Sequence, residues 1–395
     1  MTTDAAPKDS GDGVRARNLA RILRLVHLGG AQSRAQLTAA TGLNRSTVAD
    51  LVGELVVEGW VIERDPDPVG RVGRPSPVVE ASAQTVVIAV NPEVDAVEIA
   101  AVDLARRIAV RERIESAAVL SAAATAELVA EVIARWRVGA LRDVRLVGIG
   151  VAVPGLVRAA DGLVRNAPHL GWVDAPLRAL IAEHAALPVA VGNDASLGAL
   201  AEHLFGAADG ADDVIYLNGG PSGIGGGIIV HGLPVGGVGG YAGEFGQNRV
   251  RAAEGDAQDA GEAAVLEGAV LEDAVSRARL LTALGLHTAD DLALADALAG
   301  ASGDPGEVQE ECRRQRAVLA QAIADAVNIL NPSVVVLGGF LAMLVEGDPE
   351  GFATAVATGA MAENVEGLRI LPASLAADRL LLGAAELAFT SVGVI

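Results

Sequence analysis

Four consecutive polar residues, Asn44, Arg45, Ser46 and Thr47, precede a run of apolar residues and are the clearest candidates for hydrogen-bonding chemistry. Asparagine is a preferred N-cap, and apolar residues recur after it at spacings of three and four, which predicts an amphipathic helix. The apolar positions are Val48, Leu51, Val52, Leu55 and Val56. A helix that opens with hydrogen-bond donors and a positive charge is suited to contact with the phosphates and base edges of DNA.

The elements that would position these residues are a preceding short helix and a turn. Ser33 is a good N-cap for a helix over residues 34–40, and Gly42 can adopt the positive φ of a tight helix-to-helix turn. Two short helices joined by a glycine turn indicate a helix-turn-helix. The alternative is a plain three-helix bundle with a polar surface. Six arginines, Arg34 among them, and no acidic residue between Gly13 and Ala49 favour DNA binding.

A two-stranded wing is predicted after the second helix. Residues 59–63 and 77–79 are typical of a strand and its return, and the loop between them is rich in glycine and proline. Arg71 and Arg74 lie on this loop, where they could enter the minor groove and its concentrated negative potential. We therefore predict a disordered tail over residues 1–12 and a winged helix-turn-helix domain over 13–82.

Composition and charge limit the remaining function classes. Apolar residues make up 51 % of the 395 residues and aromatic residues 3 %, so the cores must be aliphatic. The net charge is −20, but residues 1–76 have ten basic and nine acidic residues, so the acidity belongs to the body. An acidic body favours presenting the basic module away from itself. The lone Cys312 excludes an internal disulfide, and the absence of a signal pattern or a long apolar run predicts a cytoplasmic protein.

The body, residues 83–395, alternates strands with helices. Several strands end in glycine or in polar residues, as in Gly192-Asn193-Asp194 and Gly338-Gly339. This alternation indicates an α/β architecture that binds ligands at the carboxyl ends of its strands.

Eight features in sequence order resemble the ROK family of bacterial repressors and sugar kinases. After the winged helix they are PGLV (154–157), RNAPHLGW (165–172), GNDAS (192–196), SGIGGGII (222–229), GYAGEFGQ (240–247), VLE (265–267) and NPSVVVLGG (331–339). The resemblance covers nearly all of residues 13–395. It implies a two-lobed, actin-like (ribonuclease-H-like) sugar-kinase fold after the winged helix.

The resemblance also implies a sugar site. Asp194 matches the family's catalytic aspartate, the base for a sugar hydroxyl, although it could equally cap the helix that follows it. Asn193 would hydrogen-bond adjacent sugar hydroxyls, and Glu244 and Glu267 match the family's sugar-contacting glutamates. Gly155 and Gln247 complete the expected effector site.

The phosphate-binding part of the family pattern has changed. Where the family's kinases have a DxGxT-like turn, this chain has Asn91, Glu93 and Asp95, and Pro92 removes a backbone donor. Two carboxylates would then face the phosphates, and each like-charge contact at ~4 Å would cost about 1–4 kcal/mol. The second glycine-rich turn, residues 219–225, is by itself a weak nucleotide signal. We therefore expect no ATP-dependent catalysis and no cofactor.

The family's zinc ligands are also replaced. Its histidine and three cysteines correspond to Gln247, Gln258, Ala260 and Val265. Neither thiolates nor imidazoles remain at these positions, so we expect no metal site.

Together these features predict a sugar-responsive transcriptional regulator, most simply a repressor. A homodimer or homotetramer would bind an inverted-repeat operator, and a sugar or sugar derivative would be the effector. One alternative is an ATP-dependent sugar kinase that carries a DNA-binding head. Another is a regulator that has lost its small-molecule ligand.

Overall fold

The computed structural model describes residues 11–65, 76–221, 223–250, 269–301 and 306–395. Its contacts divide the chain into two units. The first unit comprises Met1–Ala152, Pro176–Val191 and Ala384–Ile395, and the second comprises Val153–Ala175 and Gly192–Gly383. The predicted winged helix lies within the first unit. The limits of the predicted domains, 13–82 and 83–395, remain a prediction.

The N-terminal head has the elements of a winged helix. They are α1 (Gly11–Gly29), β1 (Gln32–Ser33), α2 (Arg34–Thr41), α3 (Arg45–Val57), β2 (Val61–Arg64) and β3 (Val78–Ala81). Ser33 caps α2 in a capping box with Gln36, and Gly42 ends that helix at φ 71°. The predicted Ser33 cap and Gly42 turn are therefore confirmed. Helix α1, however, begins at Gly11, inside the stretch that was expected to be a disordered tail.

The head has its own small core and sheet. Strand β3 lies between β1 and β2 in a three-stranded antiparallel sheet, with Ser33 paired to Val78 and Val61 to Ala81. Four of the five predicted apolar residues of α3 are buried, but Val56 is 40 % exposed and does not belong to the core. Its place in the helix puts it just outside the buried stripe.

The elements of the body follow in chain order. They are β4 (Thr85–Pro92), β5 (Ala96–Asp103), β6 (Ile108–Glu115), α4 (Ala122–Val138), β7 (Arg145–Val153), β8 (Leu156–Arg158), β9 (Leu163–Ala167), β10 (Trp172–Ala175), α5 (Leu177–Ala185), β11 (Val189–Asn193), α6 (Asp194–Phe205), β12 (Val214–Gly220), β13 (Gly223–Val230), β14 (Leu233–Pro234), α7 (Leu271–Ala274), α8 (Arg277–Ala283), α9 (Asp291–Gly300), α10 (Glu307–Leu330), β15 (Val334–Gly339), α11 (Phe340–Glu346), α12 (Pro349–Gly359), α13 (Ala362–Val365), β16 (Arg369–Pro372) and α14 (Arg379–Ser391).

The first unit is built on a five-stranded sheet in the order β11-β7-β4-β5-β6. Strands β4 and β7 run parallel, and every residue of β4 and β5 is buried, as expected for central strands covered on both faces. Strand β6 is at the edge and alternates between partly buried and exposed residues. Its sequence IAVRERIE has charged residues on one face, and sequence analysis did not identify it as a strand.

The second unit is built on a five-stranded sheet in the order β14-β13-β12-β15-β16, and β8, β9 and β10 form a small sheet of their own. Strand β12 separates two cores because alternate side chains point to opposite faces. Tyr216 packs with Ala199 of α6 on one face, whereas Ile215 and Leu217 pack with α10 and α11 on the other. The site-bearing helix α6 therefore rests on one face of this sheet.

Two short helices, α7 and α8, are separated by Val275 and Ser276. Helix α5 begins at Leu177, close behind the end of β10 at Ala175. Within the described residues, no helix combines the length and apolarity that a bilayer crossing requires.

Candidate functional site

The N-terminus of α3 presents the residues expected to contact DNA. The Asn44 side chain accepts hydrogen bonds from the Thr47 backbone at 2.8 Å and from the Ser46 hydroxyl at 2.7 Å. Asn44 is therefore the N-cap, as predicted, and it also orients Ser46. Arg45 and Ser46 are exposed. The first turn of α3 thus displays a cation and a hydroxyl oxygen that is still able to accept a hydrogen bond.

Several arginines of the head instead hold the head together. Arg15 is paired with Glu54 of α3. Arg21 donates to the carbonyl oxygens of Ala40 and Thr41 at the end of α2, where a positive charge is favourable. Arg34, a predicted DNA contact, donates to Glu63 at 2.6 Å, so its charge is already partly neutralised.

The wing arginines predicted to enter the minor groove, Arg71 and Arg74, lie outside the described residues. Their role remains a prediction. The strands β2 and β3 that flank them are described and paired in register, with Arg64 opposite Val78. The described part of the wing is consistent with the predicted hairpin.

Asp194 and Asn193 stand at the junction of β11 and α6. The side-chain oxygen of Asn193 accepts a hydrogen bond from the Ser196 backbone N–H at 2.8 Å and caps the helix, so the cap is Asn193 and not Asp194. The Asn193 amide donates to the Gly155 backbone oxygen at 3.1 Å and to Asp194 at 3.2 Å. Gly155 and Asn193 therefore fix the position of the carboxylate. The direct contact of Asn193 with a sugar remains a prediction, and in this structure its amide donates within the protein.

The environment of Asp194 favours its neutral form. Burial raises the pKa of Asp194 to about 6, and the nearby charge of Glu244 acts in the same direction. A hydrogen bond from the Ala195 backbone at 2.8 Å and the positive charge of Arg379 oppose this rise. A carboxyl group with such a pKa can accept a proton near neutral pH or bind a hydroxyl in either protonation state.

Glu244 precedes a short 3-10 turn over Phe245–Gln247, and Gln247 is the last residue of that turn. Burial and the neighbouring charge of Glu272 raise the pKa of Glu244. The Gln247 amide donates to Glu272 at 2.5 Å, and the Ile224 backbone also donates to Glu272, at 3.3 Å. Glu272 was missed from the sequence because it lies 25 residues after Gln247, without a motif of its own. The predicted contact Glu267 lies outside the described residues.

A cavity of about 360 Å³ adjoins Glu244, within the usual size range of small-molecule pockets. Asn248, Asp325 and apolar residues near the end of α10 also line it. Asp194 does not line this cavity. Among the predicted effector residues that the structure describes, only Glu244 borders the cavity.

Arg379 is a second residue that sequence reasoning missed. Its guanidinium donates to the Asn218 side chain at 3.0 Å and lies 5.8 Å from the centre of the Tyr216 ring. Gly198 of α6 leaves space for it, since a Cβ there would lie 3.3 Å from the Arg379 side chain. Burial raises the pKa of Tyr216, and its hydroxyl has no hydrogen-bond partner among the residues that the structure describes. Arg379 thus supplies the positive charge next to the Asp194 region.

The turn after β4 differs from expectation in its charge. Arg113 of β6 is paired with Glu93 and, at 3.0 Å, with Asp95, while the Asn91 amide donates to Glu93 at 2.9 Å. The hydrogen bond that Arg113 donates to Glu93 raises the pKa of Arg113 further. The two carboxylates are therefore partly neutralised, and the predicted repulsion of phosphate is weaker than two free charges would give.

The turn nevertheless fits a triphosphate poorly. The Glu93 backbone N–H donates to the Ala96 carbonyl oxygen at 2.8 Å, and Pro92 has no N–H to offer. Asn91 also lacks the charge that would hold Mg²⁺. The residues present do not fit a magnesium-bound triphosphate at this turn.

The residues also do not fit the family's zinc. Gln247 donates its amide to Glu272, and the usual ligands of structural zinc are thiolates and imidazoles. Gln258, Ala260 and Val265 lie outside the described residues.

The fold and site define a class: a winged-helix head joined to a sugar-kinase-like α/β body with a partly buried aspartate at a strand end. The ROK family model matches residues 87–391. The chain belongs to the ROK family. The match starts just after the head, so the head is an addition to the family's shared body.

Relatives of both functional kinds share this body. The chain is 27 % identical to a xylose repressor of Caldicellulosiruptor bescii, over 78 % of each protein. It is 32 % identical to the xylose repressor of Bacillus subtilis, over 54 % of this chain and 55 % of that protein. It is 34 % identical to a glucokinase of Halalkalibacterium halodurans, over 49 % of this chain and 61 % of that protein.

The solved structures of a regulator and of a kinase differ in how much of this chain they cover. A ROK family transcriptional regulator, described as a homolog of the E. coli MLC protein, matches with a TM-score of 0.76 at 20 % identity, covering 96 % of this chain and 98 % of that one. A Streptomyces griseus glucokinase in complex with glucose and AMPPNP matches with a TM-score of 0.58 at 25 % identity, covering 99 % of its chain but only 77 % of this one. The fold of the whole chain is thus that of the regulator.

Proposed function

We propose that this protein is a transcriptional repressor whose ROK body binds a sugar or sugar derivative as effector. The observation that carries the proposal is the exposed N-terminus of α3, where Arg45 and Ser46 are displayed beside the Asn44 cap. A sugar kinase has no need of such a helix. The match to the regulator over nearly the whole chain supports the same conclusion.

The DNA contacts divide by role. Arg45, Ser46 and Thr47 would reach base edges in the major groove, Asn44 would lie near the phosphates, and Arg71 and Arg74 would follow the minor groove. Because one small module supplies limited affinity, we propose that a homodimer or homotetramer reads an inverted repeat. A DNA-binding role also agrees with the expected cytoplasmic location.

The effector site would use carboxylates to accept hydrogen bonds from sugar hydroxyls. Asp194 is held by Asn193 and the Ala195 backbone, and Glu244 lies close enough to influence its protonation. Glu267 would add a third acceptor. Gln247 would contribute indirectly, through its hydrogen bond to Glu272. A site already ordered in this way loses little conformational entropy when it binds ligand.

The body would bind sugar without phosphorylating it. A kinase needs donors and a metal around the transferred phosphate. The two carboxylates of the turn after β4, Glu93 and Asp95, are instead paired with Arg113 of β6. We propose that this turn has become structural and that no cofactor is required.

Binding to selected duplexes tests the proposal. Oligonucleotides enriched from a random library by the purified chain should share an inverted repeat, and fluorescence anisotropy should give specific binding at least 10³-fold tighter than to scrambled duplex. Enrichment of no common sequence would overturn the proposal.

A sugar kinase with a DNA-binding head is the second candidate. The observation in its favour is the pKa of Asp194, about 6, which suits a general base. The glucokinase relatives add support. A coupled assay of ADP release with xylose, glucose, mannose and N-acetylglucosamine separates the candidates. Turnover at or above about 1 s⁻¹, in the range typical of kinases, would establish the kinase.

A further inference from the structure

A buried histidine near the end of α1 joins the head to two other elements of the first unit. His27 is 1 % exposed, and its Nδ1 lies 2.7 Å from the backbone oxygen of Leu104, which follows β5. Its Nε2 lies 2.8 Å from a carboxylate oxygen of Glu386 in α14, and Glu386 is 3 % exposed. The Phe389 ring packs edge-on against the imidazole, with ring centres 6.0 Å apart.

Hydrogen-bond chemistry makes this contact specific. The Leu104 oxygen can only accept, so Nδ1 must carry a proton, and the other nitrogen then shares one proton with the Glu386 carboxyl. Removal of either partner would leave a buried polar group unsatisfied, which is costly in a dry environment. Glutamine at position 386 could donate its amide to Nε2 and keep the bond without the charge.

A second anchor fixes the other end of the head. The guanidinium of Arg145 in β7 lies 4.3 Å from the centre of the Trp60 ring and donates to the Glu58 backbone oxygen at 2.9 Å. The Thr85 hydroxyl donates to the Gly59 backbone oxygen at 3.0 Å. Two separated contacts fix the orientation of the head, whereas a single contact would let the head rotate about it. His27 and Glu386 form the buried anchor of the two.

The helix that carries Glu386 also carries Arg379. Arg379 donates a hydrogen bond to Asn218, and both residues belong to the second unit. The first five residues of α14 belong to that unit, and the remaining residues belong to the first unit. Seven residues along an α-helix are two turns and about 10 Å, so the two side chains leave the same side of α14. A Cβ on Gly150 of β7 would lie 1.8 Å from the Ala384 backbone oxygen. The second half of the helix is thus packed closely against the backbone of β7.

We propose that His27 and Glu386 are positioning residues through which α14 sets the orientation of the DNA-binding head, and that a displacement of α14 caused by effector binding reaches the head through this pair. The inference rests on the proposed function, since it supplies the physical link between effector and operator. An effector alters operator affinity only if it favours one of two arrangements of a linking element. We assign that role to α14.

Three variants test the assignment. Glu386→Ala removes the acceptor, Glu386→Gln keeps a hydrogen bond, and Glu131→Ala, at an exposed glutamate of α4, is the matched control. Hydrogen exchange of the α1 amides over residues 22–29 measures the anchor directly and needs no sugar. These amides should exchange at least about tenfold faster in Glu386→Ala than in the wild type, Glu386→Gln and the control. Wild-type exchange rates in Glu386→Ala would overturn the proposal.

Coupling is measured with the selected duplex and with D-xylose or D-glucose, whichever the wild type binds more tightly by calorimetry. Allosteric coupling is commonly about 5- to 150-fold. We expect the sugar-induced change in operator affinity to fall below about twofold in Glu386→Ala, with sugar affinity retained, and to recover in Glu386→Gln. A full sugar response in Glu386→Ala would overturn the proposal. If Glu386→Ala does not fold, Glu386→Asp, which withdraws the carboxylate by one methylene, is judged by the same two measurements.

The two proposals fail in different ways. If the wild type selects no common duplex sequence, the proposed function is wrong. Hydrogen exchange of the α1 amides would still measure the contact between His27 and Glu386. A wild type that binds operator and responds to sugar, with Glu386→Ala behaving identically, removes only the role of the pair.

Discussion

Replacing Asp194 by asparagine removes an ionisable group from a site that disfavours its charge, while it keeps the shape of the side chain. The asparagine oxygen can still accept the hydrogen bonds that the Ala195 backbone and the Asn193 amide donate to the carboxylate. The difference between the two proteins therefore reports the protonation of Asp194. Its sign follows from the raised pKa.

In the folded protein the pKa of Asp194 is about 6, compared with an ordinary value of 3.8. Between these values the folded state holds a proton that the unfolded state has released. Stability is therefore highest at low pH and is lost as the pH rises through the folded pKa. The full loss is about 3 kcal/mol, since one pKa unit corresponds to about 1.4 kcal/mol. About half of it should appear between pH 5 and pH 8.

Differential scanning calorimetry from pH 5 to pH 8 stays above the isoelectric point near 4.7. Over this range the wild type should lose about 1.4 kcal/mol relative to Asp194→Asn, or about 3–6 °C in melting temperature for a unit of roughly two hundred residues. Asp209→Asn, at an exposed aspartate, is the control and should follow the wild type. Parallel curves for the wild type and Asp194→Asn would show that Asp194 is ionised throughout, which would refute the reasoning.

Three further substitutions test other parts of the structure. Arg45→Ala should reduce discrimination between the selected and scrambled duplexes by about 1–3 kcal/mol in anisotropy titrations, with unchanged melting temperature; unaltered discrimination would mean that α3 is not the recognition helix. Arg113→Ala leaves Glu93 and Asp95 unpaired, so the melting temperature should fall while operator affinity stays within about twofold; no change in stability would mean that the pairs contribute nothing. Glu202→Ala removes the acceptor of the Ser374, Leu375 and Ala207 backbone N–H groups and should destabilise the protein by about 3 kcal/mol or more in urea unfolding; a loss below 1 kcal/mol would contradict the structure.

The head could be predicted in detail because its signals are local. Ser33, Gly42 and Asn44 each determine a cap or a turn within a few residues, and the structure confirms all three. Strand β6 was missed because its sequence carries charges on its exposed face and sits at a sheet edge, where apolar alternation is weakest. Missing that strand also meant missing Arg113, and so the charge of the turn after β4 was overestimated.

The site was predicted only in part because its partners come from distant segments. Asp194 and Asn193 could be placed at a strand end from their motif, but the motif did not show that Asn193 caps α6 and bonds to the Gly155 backbone oxygen. Arg379 reaches Asn218 across 161 residues of sequence. The spacing of residues within a short segment cannot predict a contact between such distant residues. The same holds for His27 and Glu386, 359 residues apart.

The central claim is that a sugar controls operator binding without being phosphorylated. The direct measurement is a titration of the complex between the wild-type chain and its selected duplex with xylose, glucose, mannose and N-acetylglucosamine in the presence of Mg-ATP, following anisotropy and ADP in the same samples. We predict that at least one sugar changes operator affinity by about fivefold or more while ADP stays at the level of the sugar-free sample. Sugar-dependent ADP release with no change in anisotropy would contradict the account.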